Sequence, residues 1–326
     1  ASPHIRGRDS TTRLMLDVVI ALLPALAAGV LFQGLRAGLV AAVCVLSALA
    51  GEWLLRLALR RHSTLPDGSA LVTGLLLALT LPASVPYYAA AIGGLFAVVV
   101  VKGLCGGLGQ STFNPALGAR AFLMLLFPAC LTRFPALGAA LSLGELSPAD
   151  VVTGATPLHH MQMPALPDVS LLDLFLGRAG GCIGEVSALA LLLGGAYLIF
   201  RGVIHPRIPT AYLGTVAALA FLFPQGNDPV DWILCQLLGG GVMLGALFMA
   251  TDYVTSPSTP LGGWLFGVGC GLLTMFLRRF GGGPEGVSYA ILLMNLFVPV
   301  LEKHTLPGQY GRKRNGKKPG KGGETA

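Results

Sequence analysis

The chain has 326 residues, 54% of them hydrophobic and 11% charged, with a formal net charge of +7 and a mean hydropathy of +0.72. These values lie outside the range of soluble globular domains, and the chain reads as an all-α integral membrane protein. The excess positive charge sits in loops and a tail of the kind that face the cytoplasm, so it gives no support to nucleic-acid binding.

Residues 1–10 lack the pattern of a cleaved signal peptide, and the first apolar stretch is expected to remain as a span and act as the signal. Spans bounded by charge, Pro or Gly are predicted at 14–32, 37–59, 69–81, 87–104, 114–130, 185–202, 209–224, 231–250, 261–277 and 286–302, ten in all. The third is too short to cross about 30 Å of hydrocarbon as a straight helix, and Gly and Pro interrupt the fifth and eighth near their ends. Such pieces suggest half-helices around a buried site.

Leu71 to Thr80 aligns with Val242 to Thr251, placing Gly74 over Gly245 and Thr80 over Thr251. This implies two five-span halves, and an odd number of spans per half makes them inverted repeats. The expected organisation is a first membrane repeat at 1–130, a long external loop at 131–184, a second repeat at 185–302 and a basic cytoplasmic tail at 303–326, attracted to anionic membrane lipid. With the N-terminus in the cytoplasm, 16 Lys and Arg lie inside and five outside, Arg120 being assigned to a span. Arg278 and Arg279 fall on the wrong side of this rule.

Cys44, Cys105, Cys130, Cys182, Cys235 and Cys270 stand singly, without the spacing of an iron–sulfur or zinc site, and are read as packing residues. The six histidines fall in loops or at helix ends, which disfavours haem; His159 and His160 are read as solvated. Two glycine-rich stretches precede the fifth and tenth spans. In the first, Gly106, Gly107, Gly109 and Asn114 are candidates for a flavin pocket that offers backbone N–H groups and an amide, while the same glycines also suit tight re-entrant turns. Among the carboxylates near spans (Asp17, Glu52, Asp252, Glu285), Asp252 is the ion-coupling candidate, because Thr251-Asp-Tyr-Val-Thr-Ser-Pro257 offers oxygen ligands after a short helix. Asp17 lies one turn beyond Arg13 and reads as an interfacial ion pair with it.

The long loop carries Asp150-Val-Val-Thr-Gly-Ala-Thr156. Gly154 and Ala155 leave the Thr156 hydroxyl free to enter another enzyme's active site, and Pro157 stiffens the backbone just beyond it; the same residues are also ordinary turn chemistry. The heptad resembles the Asp-x-x-Ser/Thr-Gly-Ala-Thr sequence on which flavin transferases attach FMN through a threonine phosphoester. Asp150, Thr153, Gly154 and Ala155 would then form the attachment motif and Thr156 the acceptor.

Together with Ser2-Pro-His-Ile-Arg6, Asp67 to Gly74, Gly106-Gly-Leu-Gly-Gln110, Phe113-Asn-Pro-Ala116 and Gly245 to Asp252, the heptad makes residues 1–311 similar to the D subunits of Rnf electron-transport complexes. These are relatives of the B subunit of the sodium-pumping NADH:quinone reductase, which usually carries an extra N-terminal segment. The resemblance implies FMN on Thr156, a second noncovalent riboflavin, partner subunits A, B, C, E and G, a flavin transferase for maturation, and location in a bacterial or archaeal cytoplasmic membrane. It also implies that the complex, not this chain alone, transfers electrons between ferredoxin and NAD and couples this to sodium or proton export. Ferredoxin- and NAD-handling would fall to other chains, in keeping with the absence of a G-x-G-x-x-G strand–helix fingerprint and of iron–sulfur cysteines. A non-redox secondary transporter accounts for everything except the heptad.

Overall fold

In a computed structural model the described residues are 10–60, 65–104, 111–134, 171–177, 180–224, 228–281 and 286–306, and among them the only regular structure is helical. Two long helices open the chain, α1 (Thr11–Gln33) and α2 (Leu35–Leu59). Ser10 caps α1 by accepting from the Arg13 amide at 3.3 Å, and Gly34 alone turns the chain between the helices at φ 85°, a conformation that a side chain would resist.

The short third span is a half-helix, α3 (Ser69–Leu79), whose 11 residues rise about 16 Å, roughly half a bilayer. It is apolar all round and buried almost throughout, the mark of a helix enclosed by others. At Gly74 a Cβ would stand 2.8 Å from the Val45 Cα of α2, so only glycine permits this approach. Beyond α3, residues 81–86 are irregular yet buried, which is tolerable at membrane depth because protein surrounds them. Arg36, 1% exposed, holds this segment by donating to Ala83 O at 3.0 Å and Val85 O at 3.3 Å.

Helix α4 (Tyr87–Phe96) widens into a π-helical stretch at Ala97–Leu104; α5 (Pro115–Leu126), α6 (Pro128–Leu131) and α7 (Leu171–Leu176) come next. The rest comprises α8 (Ala188–Phe200), α9 (Arg207–Leu222), α10 (Pro229–Leu238), α11 (Val242–Leu244, continued as a π-helical turn over Gly245–Met249), α12 (Pro260–Phe280) and α13 (Val287–Thr305). The axis bends by 58° between α10 and α11, where Gly240 and Gly241 both take positive φ, so the interrupted eighth span is a broken one. Three described helices are long and apolar enough to cross a bilayer, or four with the broken pair taken as one. Leu31, Leu125 and Phe200 are more than four-fifths exposed on the bundle's outside, where lipid rather than water is the natural neighbour.

Side-chain ties define the two ends of the bundle. At the first end Arg201, just past α8, pairs with Asp17 of α1 at 3.2 Å, and Thr259 before α12 meets Thr305 at the close of α13. The first and last described residues therefore share this end. The Asp17 partner is Arg201, helped by the Tyr197 hydroxyl at 2.8 Å, and not the neighbouring Arg13 that local spacing suggested, because α1 and α8 pack antiparallel. At the second end Gln33 donates to Gly181 O at 2.8 Å and Ser84 to Arg133 O at 2.7 Å, so the chain leaves for residues 135–170 and returns from them there.

Candidate functional site

Half-helices α3 and α11 end inside the bundle, where each exposes carbonyl oxygens carrying about half a negative charge in sum. At the end of α3, Arg120 donates to Thr80 O, while Gly184 N reaches Leu79 O at 2.8 Å and Ile183 N reaches Leu81 O at 2.9 Å. The Arg120 guanidinium, 5% exposed, also lies 3.6 Å from Cys182 Sγ. At the end of α11 the partner is neutral: Asn114 Nδ2 donates to Met249 O at 3.3 Å. The same Asn114 caps α5, its Oδ1 accepting from Ala116 N at 3.0 Å and Leu117 N at 3.4 Å. The first half thus finishes its own half-helix through Arg120 and that of the second half through Asn114.

The starts of the half-helices carry charge as well. Lys102, in the π-helical stretch that follows α4, donates to Glu52 of α2 at 2.9 Å and to Ser69, the first residue of α3, at 2.7 Å; Glu52 is 1% exposed. Arg278 of α12 spans the α10–α11 break, with Nη1 on Gln236 O at 2.8 Å and Gln236 Oε1 at 2.7 Å, and Nη2 on Gly239 O at 2.8 Å and Gly240 O at 3.2 Å. Glu185 presses its carboxylate so close to Gly241 that a Cβ there would collide with it. The Arg278 that broke the positive-inside rule is therefore a buried structural cation, turned inward to carbonyls that the break leaves open.

Asp252 follows the π turn of α11 and accepts from the Thr255 hydroxyl at 3.2 Å. The structure brings Asn114 to Met249, three residues before Asp252, so these two sequence candidates meet at one helix end. The others fall outside the described residues: Asp150, Thr153, Gly154, Ala155 and Thr156 of the heptad, Gly106, Gly107 and Gly109 of the glycine stretch, and His159, His160, Cys105 and Glu285. Cys44, Cys235 and Cys270 are buried thiols outside any disulfide, in line with packing roles, Cys182 is buried against Arg120, and the described residues hold no group of three metal-ligating side chains. Sequence reasoning overlooked Glu185; a carboxylate two residues before the Ser187 cap of a wholly apolar helix was the available signal.

Comparison with known proteins identifies the chain's family. The family described as NQR2, RnfD, RnfE matches residues 1–311. The chain belongs to that family. Among curated relatives, the D subunit of the Na(+)-translocating ferredoxin:NAD(+) oxidoreductase complex of Acetobacterium woodii is 48% identical over 314 residues, covering 95% of this chain and 94% of the relative. The D subunit of the proton-translocating ferredoxin:NAD(+) oxidoreductase complex of Clostridium ljungdahlii is 39% identical, covering 96% of each. The D subunit of an ion-translocating oxidoreductase complex of Stutzerimonas stutzeri is 41% identical, covering 95% of each.

Proposed function

We propose that this chain is the D-type membrane subunit of an ion-translocating ferredoxin:NAD oxidoreductase complex, and that it carries FMN on Thr156. The observation that carries the first part is identity of 48% across nearly the whole of a relative bearing that name. The second part is supported by the heptad, whose residue pattern matches a flavin-attachment sequence at Thr156. Such a flavin supplies one- and two-electron chemistry; the chain's part is to bind and orient it and to keep water from it. A noncovalent riboflavin and the other Rnf subunits belong to the same reading.

The ten-span, inverted-repeat arrangement is supported by the opposite senses of α3, which starts beside Glu52 and Lys102 at the first end, and α11, which starts beside Arg278 towards the second. With the first end cytoplasmic, both termini lie inside and residues 131–184 outside, where an exported transferase would meet Thr156. Asp252 serves the ion: an acceptor beside a half-helix carboxyl end offers a small cation partial and full negative charge together. The names of the relatives divide between sodium and protons, so Asp252 is assigned to the coupling step without choosing the ion.

Denaturing gel electrophoresis under ultraviolet light, with mass spectrometry of any fluorescent peptide, tests the reading on chain purified from cells that contain the transferase. An FMN-sized adduct on Thr156, absent from Thr156→Ala, is expected; an unmodified Thr156 peptide overturns it.

A further inference from the structure

Three guanidiniums, those of Arg36, Arg120 and Arg278, lie in the half of the bundle nearer the second end, none more than 7% exposed. Each is aimed at main-chain carbonyls that a break in a helix leaves open. Arg36 holds Ala83 O and Val85 O, Arg120 holds Thr80 O at the carboxyl end of α3, and Arg278 holds Gln236 O, Gly239 O and Gly240 O ahead of α11. These contacts fall on one connected layer of backbone. Leu79 O and Leu81 O accept from Gly184 N and Ile183 N, and the next residue, Glu185, sets its carboxylate against Gly241. The layer reaches the second end through Gly181, whose carbonyl Gln33 holds there. Beyond Arg278 a cavity of about 340 Å³, bounded in part by Trp232, Gln236 and Phe280, opens at that end.

The half nearer the first end is built the other way. Asp17 and Glu52 are its buried carboxylates, and the carboxyl end of α11 meets only the neutral amide of Asn114. That end points towards the first end, because Tyr253, four residues past Met249, donates to Val203 O beside Arg201. Unwound carbonyls and half-helix carboxyl ends are what small cations bind inside membranes. In the second-end half those oxygens are already taken by cations tethered to the chain. A free cation would have to displace a guanidinium there and pass its neighbours in a medium of low dielectric, where like charges repel most strongly. Arginine also keeps its proton at any pH a protein meets, so such an obstacle does not switch off. We infer that Arg36, Arg120 and Arg278 form a barrier to free cations, so that an ion reaching the carboxyl end of α11 from the first end does not continue to the second end through this chain. The translocated ion then crosses in another subunit or along the contact with one. This rests on membership of an ion-translocating complex, as proposed above, and is independent of the role given to Asp252.

The test uses the whole complex in sealed liposomes without an electron donor, and measures entry of sodium, protons and choline under an imposed membrane potential. Wild-type vesicles should be as tight as vesicles without protein. Arg120→Gln and Arg278→Gln keep an amide donor for the carbonyls but remove the charge. Together they should raise sodium or proton entry by about tenfold or more and leave choline entry unchanged. Each alone retains the other guanidinium and should act by a smaller factor, and Arg279→Gln, at the exposed neighbouring position, should have no effect. Choline is too large for an opened carbonyl site, so it separates a selective path from a damaged bundle. Assembled variants that stay tight to sodium and protons overturn the inference. So does entry of choline along with sodium, which reduces the arginines to structural braces, or a wild-type complex that passes sodium or protons without electron flow. A wild-type complex that moves no cation during electron transfer is a different failure: it removes the ion-translocation reading, and this inference with it.

Discussion

Half-helices α3 and α11 do the same job with different degrees of closure. The start of α3 is sealed by a buried lysine with a carboxylate and a hydroxyl in contact, and its end by a guanidinium and two backbone amides. The start of α11 is held by an arginine whose contacts are all neutral and whose Nε is unmet, and its end by one amide, with Asp252 close behind. Around α3 the charges meet in a direct ion pair, whereas around α11 the countercharge of Arg278 is Glu185, set against Gly241. The first break is locked by direct ionic contact, and the second is held by hydrogen bonds to neutral oxygens.

The comparison breaks most severely at the sealed end. Lys102→Met strands a buried Glu52 carboxylate, and a loss of about 3–5 kcal/mol is expected, read as a large fall in thermal unfolding temperature in detergent; adding Glu52→Leu should restore much of it. Arg278→Met frees three backbone carbonyls and the Gln236 amide oxygen at the α10–α11 break, for which about 1–3 kcal/mol in the same assay is expected. A smaller effect sharpens the inward ends: Asn114→Asp keeps the cap on α5 but removes the donor to Met249, and about 1 kcal/mol should be lost. Asp252→Asn should alter unfolding little while abolishing sodium- or proton-coupled electron transfer in vesicles, and coupling at the wild-type level removes Asp252 from the ion path. Last, Asp17→Asn breaks a pair whose arginine side chain is 41% exposed, and a change under about 1 kcal/mol is expected, diminishing with salt.

Much of this was legible in the residues. The length of the third apolar span announced a half-helix, because 11 residues cannot cross a bilayer, and the glycines in the eighth announced its break. The repeat that set Thr80 over Thr251 marked two inward helix ends before any contact was known. Partnership could not be read in the same way. Asp17 looked paired with Arg13 because local spacing is all that a sequence offers, and Arg278 looked misplaced because a charge rule assumes that arginines face water. Glu185 drew no attention, since nothing near it in sequence reveals that Gly241 abuts its carboxylate.

The sequence by itself therefore determined that this chain lives in a membrane and which family it belongs to, since hydropathy and short motifs are properties of neighbouring residues. Only the tertiary structure decided that Asn114 completes α11, that Arg120 completes α3, and that Trp232 and Arg278 share a cavity. Those facts depend on residues tens to more than a hundred positions apart. In a bilayer each broken helix must find its missing hydrogen-bond partners wherever packing brings them.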